Sequence, residues 1–153
     1  MTILVQLPNQ QVKIDFKQFS GGERHVQLNQ NILENLDKTV KVHAELNNSN
    51  DIFDYLLLEN VLLQYNKNID LEIPYFPYAR QDRICADGQA FSLDMMTKLL
   101  NINHINHENI QRNIIVWDAH SSVTETLLKQ NSGFKQVLNV NSIEIISRSQ
   151  TLS

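Results

Sequence analysis

Apolar residues along the chain fall into short runs separated by polar segments, with one longer apolar segment near the middle. The short runs predict strands at residues 3–7, 12–16, 40–46, 69–73, 114–117, 137–140 and 143–146. Residues 52–65 are apolar over more than half of the helical circumference, which predicts a helix buried against a sheet. Further helices are predicted from Ser92, as the cap, to about Asn101 and from near Ser121 or Ser122 to about Gln130. This order of elements indicates an α/β domain with a mostly parallel central sheet flanked by helices.

The strand at residues 69–73 departs from the usual pattern of an internal parallel strand. Apolar Ile69, Leu71 and Ile73 alternate with Asp70 and Glu72. A parallel strand that is covered on both faces has instead a continuous apolar run. We therefore expect one face of the sheet to be in contact with solvent at this strand.

Two prolines and a charged cluster follow that strand. Pro74 and Pro77 each lack a backbone donor, so the chain must leave the sheet here. Residues 80–83, Arg-Gln-Asp-Arg, then place two guanidiniums, a carboxamide and a carboxylate beyond the carboxyl end of a strand. This set suits a polyanionic ligand. A solvated charged turn explains the same residues equally well.

A second strand also ends in polar residues. The apolar residues 114–117 lead into Asp118 and His120, and a helix is predicted to begin near Ser121 or Ser122. We expect Asp118 and His120 at the carboxyl edge of the sheet, where the loop of residues 80–83 should also emerge. An imidazole that merely caps the turn is the alternative.

Two other polar groups have structural explanations that compete with binding roles. Asn50 and Asp51 precede the long helix, which we expect to begin near Asp51 because Asn and Asp are preferred caps. His104, His107 and Glu108 suggest a zinc site, but they lack both a clear helical period and the paired cysteines that make zinc motifs specific. We favour helix capping for the first group and a surface loop for the second.

Length and composition predict one compact domain within the 153 residues. The net charge of −4 and the pI of about 5.7 provide no basic field for nucleic acid. The single cysteine, Cys85, excludes an intrachain disulfide, and the polar start lacks the features of a secretory signal. No apolar run approaches the roughly 20 residues of a membrane helix. We expect a cytoplasmic protein that contacts neither nucleic acid nor membrane.

Residues 74–83, Pro-Tyr-Phe-Pro-Tyr-Ala-Arg-Gln-Asp-Arg, resemble the ATP-site segment of the ribose-phosphate pyrophosphokinase family, also called phosphoribosyl pyrophosphate synthetases. Residues 19–23 are similar to the family's Phe-x-Asp-Gly-Glu segment, although Gly21 stands where an Asp is usual. Gly21 and Gly22 by themselves explain only a sharp turn before another strand. Residues 117–121 resemble the family's Asp-x-His-[Ala/Ser] segment. In these details the chain is most similar to the shorter, phage-type members.

Resemblance to this family implies a Rossmann-like fold of the phosphoribosyltransferase type and transfer of pyrophosphate from ATP to ribose 5-phosphate. It assigns the ATP phosphates to Arg80 and Gln81 and the catalytic magnesium to His120. It assigns base or ribose contacts to Phe19 and Glu23, with Phe19 stacking on the adenine of a nucleotide held mainly by a neighbouring subunit. The remaining polar residues of the two strand ends would order these contacts: Asp82, Arg83 and Asp118. A Phe in the hydrophobic core is the alternative for Phe19.

The resemblance covers nearly all of residues 1–153 as a single amino-terminal, ATP-binding domain, without the first strand–helix unit of the longer members. The pentose-phosphate loop and the mobile catalytic loop of the family's carboxyl-terminal half are not found. We therefore place no catalytic residue in this half and expect the isolated chain to make no phosphoribosyl pyrophosphate. The expected ligands are ATP and Mg²⁺, with ribose 5-phosphate bound only together with the other half, in a homo-oligomer. A non-catalytic regulatory or interaction module that pairs with full-length subunits is the alternative.

Overall fold

Strands and helices alternate along most of the chain in the computed structural model, which describes residues 2–117 and 122–140. The strands are β1 (Ile3–Gln6), β2 (Gln11–Lys13), β3 (Phe16–Gln18), β4 (Arg24–Val26), β5 (Thr39–Ala44), β6 (Asn68–Ile73), β7 (Arg112–Trp117) and β8 (Gln136–Val140). The α-helices are α1 (Gln30–Asn35), α2 (Ser49–Gln64), α3 (Ser92–Leu99) and α4 (Ser122–Asn131), and a 3-10 turn covers His104–Asn106. Within the described part of the chain, no helix is long and apolar enough to cross a membrane. The predicted strand at residues 143–146 lies outside the described residues.

The main sheet has six strands among the described residues, in the order β2-β1-β5-β6-β7-β8. β1 pairs antiparallel with both β2 and β5, while the successive pairs from β5 to β8 are parallel. α2, α3 and α4 lie in the three connections between the parallel strands. The predicted α/β class with a mostly parallel sheet is therefore confirmed, and β1 and β2 form an antiparallel hairpin at the amino-terminal end.

One face of this sheet is covered by the helices and the other is open. The parallel strands advance in one direction, so right-handed crossovers bring all three connecting helices to the same face. On the covered face Ile69, Leu71 and Ile73 are buried. On the opposite face Asp70 and Glu72 line a shallow cavity of about 480 Å³. It is also lined by residues of the other five strands: Gln6, Gln11, Lys41, His43, Asn113, Ile115, Gln136 and Leu138. The predicted solvent contact at β6 is thus observed, and the cavity extends over all six strands of the main sheet.

α2 begins two residues before the predicted start. Asn48 is the N-cap, and its side-chain oxygen accepts a hydrogen bond from the backbone N–H of Asp51 (3.0 Å). The Asp51 carboxylate accepts one in turn from the backbone N–H of Asn47 (2.8 Å), a reciprocal arrangement close to a capping box. Capping is therefore the observed role of Asp51. The helix cap itself is Asn48, whereas Asn50 lies within the first turn.

Three shorter elements differ from the prediction. The predicted strand at residues 12–16 is divided, since β2 ends at Lys13 and Phe16 begins a strand of a separate hairpin. Apolar residues alternate through both pieces, so the pattern does not mark the change of sheet. Ser92 is the first residue of α3, and the cap position is held by Phe91 without a side-chain hydrogen bond. The six-residue helix α1 was not predicted, because fewer than two turns give too short a pattern.

A buried polar network joins the helices to β7. Arg112 is fully buried and donates to Glu59 Oε2 (2.9 Å). It also donates to two carbonyls at helix carboxyl ends, those of Leu100 (2.8 Å) and Ser132. The Tyr55 hydroxyl donates to Glu59 Oε2 (2.6 Å), and burial raises the pKa of Tyr55 well above its ordinary value, so this proton stays in place. These five residues hold α2 and the carboxyl ends of α3 and α4 against β7.

Candidate functional site

The loop that follows β6 is held by two buried side chains. Phe76 and Ala79 are buried in the core, and the backbone N–H of Ala79 donates to the Phe76 carbonyl (3.4 Å). A second turn is closed by the N–H of Gln81, which donates to the Tyr78 carbonyl (2.8 Å). Arg80 and Gln81 are exposed. The loop is thus an anchored structure that presents a guanidinium and a carboxamide beyond the carboxyl end of β6.

Tyr78 has a backbone conformation that is rare for a bulky residue. Its φ angle is +66°, in the left-handed region, where the Cβ atom crowds the carbonyl that follows. Such a conformation costs about 1–3 kcal/mol and persists only where its surroundings impose it. Backbone strain of this kind is concentrated at binding and catalytic sites. It favours a functional loop over an ordinary solvated turn.

Arg80 and Gln81 lie between two open cavities of about 550 Å³ each. One cavity is bounded by the amino end of α2, through Asn47, Asn48 and Ser49. The other is lined by the rest of the charged loop and the start of α3: Asp82, Arg83, Cys85, Gln89 and Ser92. Both volumes lie in the range of small-molecule sites. A helix amino end beside guanidinium groups favours an anionic ligand.

The two arginines of the loop have different surroundings. Arg80 Nη2 donates to the hydroxyl of Tyr75 (3.3 Å), which helps to orient the guanidinium. Arg83 Nε donates to Asp82 Oδ1 (3.0 Å), and this hydrogen bond raises the pKa of Arg83 above its ordinary value. Asp82 therefore offsets the charge of Arg83 directly. Arg80 borders both cavities, whereas Arg83 borders only one, so Arg80 is the better placed of the two for an anionic ligand. Nothing in the local sequence had indicated the support from Tyr75.

The strands that carry the two polar segments end side by side. Ile73 of β6 is in register with Val116 of β7, so the two strands end at the same edge of the sheet. Trp117 Nε1 donates to Glu72 Oε2 (3.2 Å), which ties the two strand ends together. The edge predicted from the sequence is therefore formed. Asp118 and His120, which follow β7 directly, lie outside the described residues.

Phe19 lies at the tip of the hairpin formed by β3 and β4. Its backbone N–H donates to the Glu23 carbonyl (2.8 Å), and Gly22 closes the turn with a φ of +93°. The Phe19 side chain is 50% exposed and stacks on the His25 ring, with 5.4 Å between ring centroids and 27° between planes. Phe19 is thus not a core residue. About half of its surface remains accessible to a ligand.

Gly21 leaves room for the Glu23 side chain at this tip. A Cβ atom at position 21 would meet Glu23 Oε1 at less than a contact distance. An Asp, the residue usual in the resembled segment, fits only if the Glu23 carboxylate moves. The departure at Gly21 therefore changes the conformation available to Glu23 as well as removing a carboxylate.

The structure groups some of the predicted site residues and separates others. Arg80, Gln81, Asp82 and Arg83 line a common cavity. Phe19 and Glu23 line neither of the two cavities that Arg80 borders. The basic loop and the aromatic hairpin are therefore two separate parts of the surface within one chain.

His104 has a structural contact that accounts for its position. Its Nε2 atom lies 3.0 Å from the carbonyl oxygen of Ile110, across the loop that leads into β7. His107 ends the 3-10 turn, with its backbone N–H donating to the His104 carbonyl (2.9 Å). The favoured interpretation of this segment as a loop agrees with these contacts.

Comparison with known proteins gives consistent matches. A family model for the N-terminal domain of ribose phosphate pyrophosphokinase matches residues 2–103. The ribose-phosphate pyrophosphokinase of Pyrococcus furiosus is 30% identical over 91 residues, which are 58% of this chain and 31% of that protein. That of Thermococcus kodakarensis is 26% identical over 115 residues, 74% of this chain and 37% of that protein. Among solved structures, phosphoribosylpyrophosphate synthetase from Mycobacterium smegmatis has a similar fold, with a TM-score of 0.64 at 17% identity, covering 89% of this chain and 42% of that one.

The family match includes both the hairpin with Phe19 and the loop with Arg80, and it ends before β7. The chain spans about a third of the length of these two curated relatives. The relatives are transferases by name, and the fold agrees with that of a solved synthetase. The chain belongs to the ribose-phosphate pyrophosphokinase family, and residues 2–103 correspond to the N-terminal domain of these enzymes.

Proposed function

We propose that this chain provides the ATP- and magnesium-binding part of a ribose-phosphate pyrophosphokinase. In that reaction the 1-hydroxyl of ribose 5-phosphate attacks the β-phosphorus of ATP, forming phosphoribosyl pyrophosphate as AMP leaves. The observation that carries the proposal is the anchored loop after β6, which presents Arg80 and Gln81 toward two cavities at the carboxyl edge of the sheet. Ligands of open α/β sheets bind at this edge.

Arg80 and Gln81 are the proposed contacts to the nucleotide phosphates. A guanidinium makes strong charge-assisted hydrogen bonds to phosphate oxygens, often two at once. Fixed positive groups also stabilise the negative charge that develops on the leaving phosphate during transfer. Asp82 and Arg83 hold each other and keep the loop ordered. The groups that bind ribose 5-phosphate and complete catalysis are proposed to come from the carboxyl-terminal half of the enzyme.

Magnesium is proposed to enter this site together with the nucleotide. Residues 2–117 and 122–140 hold no cluster of three His, Cys, Asp or Glu side chains placed to bind an ion. The Asp82 carboxylate is paired with Arg83. This fits Mg²⁺, which proteins commonly bind through substrate phosphates and only one or two side chains. We assign His120 as the protein ligand, supported by Asp118, and the bound ion would neutralise phosphate charge.

Phe19 and Glu23 are proposed to contact the base or ribose of a nucleotide held by a second copy of the chain. The half-exposed ring of Phe19 supports this role, as does its separation from the cavities that Arg80 lines. The active assembly is accordingly a homo-oligomer in which each nucleotide meets the basic loop of one subunit and the aromatic hairpin of another.

Calorimetric titration tests the proposed function directly. The chain is expected to bind ATP weakly in the presence of magnesium, and more weakly still when a chelator removes the ion, because phosphate charge is then not neutralised. Circular dichroism must show that the protein is folded. Absence of heat at millimolar ATP with magnesium would contradict the proposal and leave the interaction module as the remaining hypothesis.

Substitution of Phe19 by Ala is expected to weaken ATP binding about three- to thirty-fold at a fixed chain concentration, because an aromatic stacking contact is lost. The melting temperature should change little, since the ring is half-exposed. Phe53→Ala is the matched control, because Phe53 is an equally exposed ring that faces α3 and lines neither of the cavities beside Arg80. Unchanged ATP affinity in Phe19→Ala, or equal losses in the two variants, would contradict the assignment.

A further inference from the structure

The hairpin that carries Phe19 forms its own two-stranded sheet and shares no strand pairing with the main sheet. A two-stranded hairpin alone is at best marginally stable in water. Its position on the domain must therefore come from side-chain contacts. Val26 at the end of β4 is buried and supplies an apolar contact, but an apolar contact does not by itself fix an orientation.

A bidentate ion pair joins the hairpin to α2. Arg24 of β4 donates from Nε to Asp54 Oδ1 (2.9 Å) and from Nη2 to Asp54 Oδ2 (2.6 Å). The Asp54 side chain is 1% exposed and that of Arg24 is 18% exposed, so water competes little for these bonds. Two parallel hydrogen bonds from a planar guanidinium fix both distance and angle. Arg24 Nη1 also reaches Gln18 Oε1 across the hairpin (3.4 Å), which links both strands to the anchor.

A short chain of contacts connects this anchor to the Phe19 ring. Arg24 is followed on β4 by His25, and the Phe19 ring stacks on the His25 imidazole. Asp54 lies on α2, whose amino end borders the cavity beside Arg80. One helix thus carries both a wall of the basic site and the attachment point of the aromatic hairpin.

We propose that Asp54, acting through Arg24, is a positioning residue that sets how the hairpin presents Phe19 to a nucleotide. The inference rests on the proposed function of Phe19. Neither Asp54 nor Arg24 touches the nucleotide in this scheme. If the Arg24–Asp54 pair contributes to folding alone, a substitution that disrupts it should lower stability and leave the affinity for ATP unchanged. If the pair positions Phe19, the same substitution should also lower the affinity for ATP.

The test is a double-mutant cycle between Arg24→Lys and Phe19→Ala, with ATP–magnesium affinity measured by calorimetry. Lysine keeps the positive charge but loses the bidentate fork. Arg24→Lys alone is expected to weaken binding about three- to thirty-fold, the range expected for the stacking contact itself. In the Phe19→Ala background the same change should have almost no further effect, because the two residues act through one contact. Independent, multiplying effects of the two substitutions would overturn the proposal.

Two further measurements separate the outcomes. Val137→Ala serves as a stability control, because Val137 is buried in β8, at the opposite edge of the main sheet from β2, the strand that leads into the hairpin. It should lower the melting temperature to a similar extent while the ATP affinity stays like that of the wild type. Amide hydrogen exchange of residues 16–26 should be faster by about tenfold or more in Arg24→Lys but unchanged in Val137→Ala. If the wild-type chain binds no nucleotide, the proposed function fails, while the exchange rates still decide whether the ion pair holds the hairpin. Unchanged exchange in Arg24→Lys would overturn the anchor in either case.

Discussion

Replacing Arg112 by Met is expected to lower the free energy of unfolding by about 3–5 kcal/mol, because Glu59 is then left buried without its positive partner. The carbonyls of Leu100 and Ser132 also lose their donor. At roughly 2–4 °C per kcal/mol for a domain of this size, the melting temperature should fall by about 6–20 °C. Denaturant unfolding followed by circular dichroism gives the free energy directly.

Two variants control for this result. Lys129→Ala removes an ion pair of similar length, with Glu125 at 3.0 Å, but on the exposed surface of α4. It should change stability by less than about 0.5 kcal/mol, since solvent screens exposed pairs. The double variant Arg112→Met with Glu59→Leu should recover much of the loss, because no unpaired charge remains buried. A loss below about 1 kcal/mol in Arg112→Met alone would show that the buried pair is not what stabilises the helices against β7.

Replacing Arg80 by Ala is expected to weaken ATP–magnesium binding about 10- to 150-fold, since hydrogen bonds to a charged group contribute about 1.5–3 kcal/mol. The fold should be unaffected, because the buried Phe76 and Ala79 hold the loop and Arg80 is exposed. Calorimetry measures the affinity and thermal unfolding checks the fold.

Arg83→Ala is the matched control for this prediction. It removes the same charge from the same loop, but the Arg83 side chain is 75% exposed and lines only one of the two cavities that Arg80 borders. We expect a smaller loss of affinity than for Arg80→Ala. Equal losses in the two variants would indicate that overall loop charge, rather than the position of one guanidinium, determines binding.

The sequence predicted the structural features that depend on residues close together in the chain. Apolar and charged positions alternate along β6, and this alternation gave both the strand and its open face because burial in a strand repeats every second residue. The capping residues before α2 were also visible in the sequence, although the helix begins two residues earlier than predicted because Asn48 offers an equally good cap. The carboxyl edge formed by β6 and β7 follows from the same patterns.

Features that depend on distant pairs were not predictable. Arg112 and Glu59 are 53 positions apart, and Arg24 and Asp54 are 30 positions apart. A single charged residue in a sequence indicates exposure, and it becomes buried only when the fold brings its partner to it. The left-handed conformation of Tyr78 is equally invisible, since no glycine marks it. The roles of Arg80, Gln81, Phe19 and the residues after β7 stay predictions that come from the family resemblance.

Because one face of the sheet is open, the tolerance of substitutions on the four parallel strands should differ between rows of residues that lie side by side across the strands. Residues 41, 70, 113 and 136 lie side by side across the strands on the open face, so exchanges among polar side chains there disturb no packing. The next row, residues 42, 71, 114 and 137, is buried, and a single methylene gained or lost there is felt by the core. Among natural relatives of this chain, every second residue along each strand should therefore vary more than its neighbours. The variable positions should lie in register across all four strands. The permissive row offers places to attach a probe or a new partner without altering the edge that carries Arg80.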